Sequence, residues 1–492
     1  MKRTTAILIF LSPVLLFAQI RLPLEKQTPP IGTSNAEMVE YLGKITAASD
    51  VLEMEIAGKS HQQREIPVVF SPPRKQWKSE NTTVMIFAQQ HGNEPSGKEA
   101  LLMILHEIYL NPKHYDFSKL NLIFVPMVNP DGNEVNRRRN GNRYDLNRNH
   151  VILTEPETRA LHKIFHKYLP QVTLDVHEYG FRTWLKEGYI KDFGEQLDCI
   201  TNPAIPETLK NFALNEILQP TIQSTRDRGV RANRYLITKG GLNDFVRHST
   251  TDINDGRNGF GIQLTLSFIL EGLNPLGKSE QIWQRAKYQQ TLIENFISQC
   301  QEKSAQIKKL VDEIRRNAKK EYPDSVVIVA DYTKKYSHPL EVSLKKTSDF
   351  REEKVVLPDY RPEPEKLLTV SRPNAYIIIN PTQQIIELLD SHNFPFAKFD
   401  KKEKMVVEIF RITGTDTLHY ESRDTIIPAG KFIRTQKEIP AGSIRIPTTN
   451  ERAIQIVQIF EPQSFYGLSH YPEYRYLIKG KEFPIFREIS QN

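Results

Sequence analysis

The sequence predicts an α/β fold: a mostly parallel mixed sheet with helices on both faces, followed by a smaller β-rich C-terminal segment. Two observations carry this. From Val84 onward, short apolar runs at 84–88, 120–128 and 171–176 alternate with helical patterns at 95–110 and 155–168. Strands buried on both faces read as continuous apolar runs, and helical crossovers between them make neighbouring strands parallel. After Pro323 the pattern changes to short β-like runs separated by Pro, Gly and Asp. At 492 residues the chain exceeds the length at which one core usually stops growing, so a division into 19–322 and 323–492 is expected.

In chain order, residues 1–18 begin with Lys2 and Arg3, continue through an apolar stretch to Phe17 and end at Ala18 before Gln19. This is the pattern of a secretory signal peptide, and it predicts export to a periplasmic or extracellular location. The apolar stretch is too short to span a membrane comfortably, and no later run is longer. Residues 20–80 mix a helical piece at 36–42 with strand-like pieces at 51–56 and 66–70, the lead-in to the sheet. Residues 180–260 are rich in Gly, Asn, Asp and Arg and read as long surface loops, with helix only around 206–217. An apolar strand at 263–270 is followed at once by Glu271, and 279–320 reads as one or two packing helices. Beyond Pro323 the β-like runs fall at 326–332, 340–344, 376–379, 405–412, 444–447 and 454–459, with one helix at 382–392.

The composition is that of a folded globular chain, with 39% hydrophobic and 25% charged residues. A formal charge of +7 is modest and dispersed, two of its positive residues lying in the signal segment, so it predicts no nucleic-acid partner. Cys199 and Cys300 are too few for a disulfide framework, and whether they pair is not legible.

Reactive groups of parallel sheets gather where strands end. His91 and Glu94 stand between the first strand and its helix, at a spacing that lets an imidazole and a carboxylate face one cation. His177 ends another strand in LDVHEYG and is the third candidate ligand, completing the count that a catalytic zinc needs while leaving a position open. Asp145 can accept from the distal nitrogen of a liganding histidine. The Arg/Asn pair in DLNR, at 145–148, offers a planar fork and a neutral donor for a free carboxylate. Glu271, at a strand end, is a candidate general base.

Taken together, HGNE at 91–94, NPDG at 129–132, R-x-N-x-x-x-x-D-L-N-R at 138–148, DVHEYG at 175–180 and SFILEG at 267–272 resemble the zinc metallocarboxypeptidases of the carboxypeptidase A type. The resemblance covers about residues 80–320 and implies a carboxypeptidase-like fold and an exported enzyme that hydrolyses C-terminal peptide bonds. It implies that His91, Glu94 and His177 hold one zinc per chain and that Glu271 is the base toward the water zinc activates. Arg138 would steady the carbonyl oxygen, and Asn147 and Arg148 would hold the terminal carboxylate of a peptide or protein substrate. Two other readings fit the same motifs: an amidohydrolase acting on acylated amino acids or cell-wall peptides, and a catalytically silent peptide-binding homologue. The chain departs from the family in having His248 and no tyrosine between Tyr235 and Glu271, where a tyrosine commonly stands about twenty residues before the glutamate. Asp252 and Asp255, in the same stretch, read as solvent-facing loop acids, the other reading being that one of them favours a basic terminal residue.

Overall fold

A computed structural model describes residues 20–113, 118–238, 240–275, 281–420 and 423–489; the expected signal segment lies outside them. The first half runs α1 (Asn35–Ala47), β1 (Glu53–Lys59), β2 (Glu65–Ser71), β3 (Thr82–Ala88), α2 (Ser96–Leu110), β4 (Leu120–Val125), α3 (Pro130–Glu134), α4 (Pro156–Tyr168) and β5 (Val172–Tyr179). Then come β6 (Tyr189–Ile190), β7 (Glu195–Cys199), α5 (Glu207–Phe212), α6 (Gln219–Asp227), β8 (Ala232–Arg234), β9 (Ile237–Thr238), β10 (Val246–Arg247), α7 (Gly256–Gly261), β11 (Leu266–Leu273), α8 (Ile282–Glu302) and α9 (Ser304–Asn317).

Eight strands form one sheet in the order β1-β2-β4-β3-β5-β11-β7-β8. Its centre is parallel: β3 pairs with β4 and β5, and β5 with β11, all in one direction. The β1-β2, β2-β4 and β11-β7 pairs are antiparallel. Every residue of β3 and β4 is buried, as continuous apolar runs require. Helix α1 starts on a capping box, Ser34 accepting from the Glu37 N–H while Glu37 accepts from the Ser34 N–H. The parallel order aligns the carboxyl ends of β3, β5 and β11 along one edge, so that Phe87 faces Asp175 and His177 faces Glu271 across the ladder.

The remaining elements are β12 (Ser325–Asp331), β13 (His338–Lys346), β14 (Glu352–Arg361), β15 (Glu365–Ser371), β16 (Ala375–Ile378), α10 (Gln383–Ser391), β17 (Ala397–Lys398), β18 (Glu403–Tyr420), β19 (Arg423–Ile439), β20 (Ile444–Pro447), α11 (Ala453–Phe460) and β21 (Ile485–Glu488). A six-stranded sheet, β17-β20-β16-β21-β18-β19, is built from this segment alone. A second sheet, β6-β13-β14-β10-β9, draws strands from both sides of residue 322. The main apolar core is also shared, holding Val84 and Ile86 of β3 together with Ile456 and Phe460 of α11.

Two expectations change. The run at 454–459 is the helix α11 rather than a strand: its two polar residues, Gln455 and Gln458, stand three apart, which sets them on one helix face. It is buried on all sides, and its Gln458 donates to the Val327 carbonyl at 2.8 Å and to Asn202 Oδ1 at 3.1 Å. The stretch 180–260 holds more structure than loops: α5 continues through a π-helical turn, Ala213–Leu218, into α6, and short strands and α7 follow.

Candidate active site

The strand-to-loop turn after β3 is made by Gln89, whose φ of 59° lies in the left-handed region. Its amide donates to the Gly92 carbonyl at 3.0 Å and to Asn133 Oδ1 at 2.8 Å. Gly92 is required by crowding: a Cβ there would lie 2.1 Å from the carbonyl carbon of Gly132. The NPDG turn thus backs directly onto the HGNE loop. Asn129 locks the two together, accepting from Gly132 N at 2.8 Å and donating to the carbonyls of Gln90 at 3.0 Å and Arg138 at 3.2 Å.

His91, Glu94 and His177 are all buried, and one donor atom from each lies within 4.8 Å of the others. His91 Nδ1 is 2.9 Å from Glu94 Oε1, His177 Nδ1 is 2.8 Å from Glu94 Oε2, and the two Nδ1 atoms are 3.1 Å apart. Two imidazole lone pairs and a carboxylate at such separations repel one another unless a cation lies among them. The opposite ring nitrogens turn toward carboxylates: His91 Nε2 is 3.1 Å from Asp145 Oδ1, and His177 Nε2 is 2.9 Å from Asp175 Oδ1. Nitrogen and oxygen donors in a set of three, each imidazole oriented from behind, suit zinc with a position left open.

Burial alone would raise the Glu94 carboxyl, but His91 and His177 hold it well below its ordinary range. Asp145 likewise is raised by burial and brought below its ordinary value by His91, Arg138 and Arg148. For Glu271, burial, with repulsion from Glu94, prevails over the pull of His177 and raises the carboxyl to about 7.

Arg138 is exposed at the rim, its NH1 3.5 Å from Glu94 Oε1 and its Nε donating to Asp145 Oδ2 at 3.0 Å. Asn147 is buried, its side-chain oxygen accepting from Gly256 N at 2.8 Å and its amide nitrogen 3.2 Å from His177 Nε2. Arg148 is half-buried beside it, with NH1 on the Asn147 carbonyl at 2.6 Å. Asp255 is a correction: it is buried, capping α7 at Asn258 N and paired with Arg257 at 3.0 Å. His248 is buried, with Nε2 2.6 Å from the Tyr360 hydroxyl of β14.

Sequence reasoning gave no role to Asp175, although a residue two before His177 on a strand shares its face. Gln90, which donates to Asp175 Oδ2 at 2.8 Å, and Lys191, buried with its ammonium on the Leu236 carbonyl, carried no local signal.

Among known proteins, the zinc carboxypeptidase family model matches residues 38–154. Carboxypeptidase 2 of Trichophyton tonsurans is 23% identical over 461 residues, covering 87% of this chain and 81% of its own. The carboxypeptidase 2 of Trichophyton rubrum is 23% identical over 483 residues, covering 92% and 86%. Among solved structures, a putative carboxypeptidase A from Shewanella denitrificans superposes with a TM-score of 0.43 at 16% identity, covering 54% of this chain and 70% of that one. The carboxypeptidase A of Helicoverpa armigera gives a TM-score of 0.42 at 16% identity, covering 55% and 74%. The family match takes in the HGNE, NPDG and DLNR segments, and the fungal relatives extend the likeness along most of the sequence, so the chain is similar to the zinc carboxypeptidases in both comparisons.

Proposed function

We propose that this chain removes residues from the C-termini of peptides, with His91, Glu94 and His177 holding one zinc and Glu271 as general base. The observation that carries the reading is the convergence of the three donor atoms with Glu271 directly beside His177 on the neighbouring strand. A zinc ion held there lowers the pKa of bound water toward ~7 and polarises a carbonyl. Glu271 takes the proton of the attacking water and passes it to the leaving amine nitrogen. Arg138, held at the rim by Asp145 with its NH1 3.5 Å from Glu94, presents a guanidinium already in place to stabilise negative charge developing on the carbonyl oxygen. Arg148, beside the buried Asn147, receives the terminal carboxylate of the substrate. Asp145 and Asp175 keep the imidazoles oriented.

We also propose export, which rests on the pattern of residues 1–18; among the described residues no helix is long and apolar enough to cross a membrane. The change of element type between α9 and β12 supports treating 19–322 as the catalytic unit and 323–492 as a second one packed on it.

The test is Glu271→Gln, which keeps the shape of the side chain and removes its basicity. The variant is expected to bind zinc as wild type does and to lose turnover by at least ~100-fold, the usual worth of a general base. Undiminished turnover would remove Glu271 from the mechanism.

A further inference from the structure

Behind the three candidate ligands, a row of buried polar side chains leads away from the site. Gln90, fully buried after β3, directs its amide nitrogen to Asp175 Oδ2 at 2.8 Å and to Asn147 Oδ1 at 3.2 Å. The other oxygen of Asp175 lies 2.9 Å from His177 Nε2. Gly256 closes over this contact: a Cβ there would lie 2.5 Å from Asp175 Oδ2 and 2.9 Å from Gln90 Nε2. At the far end of the amide, Gln90 Oε1 is 2.9 Å from His150 Nε2, and His150 Nδ1 is 3.0 Å from His162 Nε2.

The partners fix the protons along the row. A carboxylate only accepts, and Asn147 Oδ1 accepts from Gly256 N at 2.8 Å, so the nitrogen end of the Gln90 amide faces them both. Its oxygen then faces His150, whose Nε2 carries the proton. Burial holds His150 and His162 neutral, so His150 Nδ1 accepts from the Nε2–H of His162. Two contacts pin the backbone beside His150. Val151 N donates to Asn254 Oδ1 at 3.0 Å, and the Val151 carbonyl accepts from His392 Nε2 of the C-terminal segment at 2.7 Å. Both rings pack on Phe260, at 5.5 Å and 4.8 Å between centres.

We propose that Gln90 is a positioning residue for the metal site, holding the Asp175 carboxylate in place behind His177, and that His150 keeps the Gln90 amide from turning over. The inference rests on His177 being a zinc ligand. An amide turns by half a rotation with little change of shape, and a turned Gln90 would set its oxygen against Asp175 Oδ2. The His150 N–H makes that state costly, because the turned amide would meet it with N–H groups of its own. His162 in turn commits the single proton of His150 to Nε2. Such outer partners bear on metal affinity because they hold the ligand ring where the ion needs it.

The experiment measures the zinc affinity of the full chain by competition with a chromophoric chelator, the d–d spectrum of the cobalt(II)-loaded protein, and the thermal midpoint without metal. It compares Gln90→Met, His150→Phe, His150→Gln, the Gln90→Met/His150→Phe double variant and His177→Ala. Methionine keeps the length of Gln90 without its amide, and is expected to weaken zinc roughly tenfold, as loss of an outer partner does, and to shift the cobalt spectrum. His150→Phe, two contacts from the ligands, is expected to weaken zinc in the same direction and to add nothing in the Gln90→Met background. His150→Gln returns a donor near the Nε2 position and is expected to restore the affinity. Wild-type affinity in Gln90→Met would overturn this inference alone, whereas undiminished zinc binding in His177→Ala would overturn the ligand assignment beneath it. A lowered midpoint with wild-type affinity and cobalt spectrum would make Gln90 merely structural. Additive losses in the double variant, or no recovery in His150→Gln, would sever the link to His150.

Discussion

Asp175 stands behind a candidate metal ligand, on the far side of the His177 ring from Glu94. It is 1% exposed, accepts from Gln90 and faces His177 Nε2. Asp175→Asn keeps the volume but removes the charge that orients the ring, and is expected to weaken zinc binding by roughly 10–100-fold. Competition with a chromophoric chelator measures this, and wild-type zinc affinity in the variant would deny Asp175 its role. Residue types at short spacing were legible here: His91, Glu94 and His177 come together as their positions on strand ends suggested. Lys191 was not, because the tertiary fold alone buries it, from a loop with no local periodicity, with its ammonium on the Leu236 carbonyl.

At the level of elements, the parallel strands were legible because burial on both faces leaves continuous apolar runs, and β3, β4 and β5 appear where those runs stand. Helix α11 was not, since in so short a β-favouring run as AIQIVQIF only the three-residue spacing of Gln455 and Gln458 marks it. The short pairing of β10 with β14 was also illegible, involving only Val246 and Arg247. Where two loops touch, the constraint is sharper than any propensity. Gly92→Ala would force the HGNE loop off Gly132, against backbone that cannot yield as a side chain would. The variant is expected to be destabilised by about 1–3 kcal/mol, as overpacking usually costs, and to lose zinc affinity along with it. A wild-type thermal midpoint and zinc content would refute that.

The whole molecule carries a cost at acid pH. His150, His166 and His392 are held by burial at about 4, about 4 and about 3, and the nearby Arg452 opposes protonation of the latter two. A histidine whose folded pKa is depressed binds fewer protons folded than unfolded between its two values. Stability is therefore full above about 6.5 and is lost as the pH falls toward 4, on the order of 3 kcal/mol per fully buried ring. Thermal melts of the metal-free protein from pH 7.5 to 4.5 should show a steadily falling midpoint, and a flat profile would contradict it. Two of these rings sit in the N-terminal half and His392 follows α10, with His392 Nε2 2.7 Å from the Val151 carbonyl, so the acid response belongs to both halves at once.

The central claim is a zinc-dependent cut at a free C-terminus. A mixed peptide library, half with free and half with amidated ends, is digested by the zinc-loaded protein and by the same protein after chelation, and read by mass spectrometry. The account predicts stepwise loss of terminal residues from the free ends, little from the amidated ones, and none after chelation until zinc is restored. Equal cleavage of amidated peptides, cuts at internal bonds, or activity that survives chelation would contradict it.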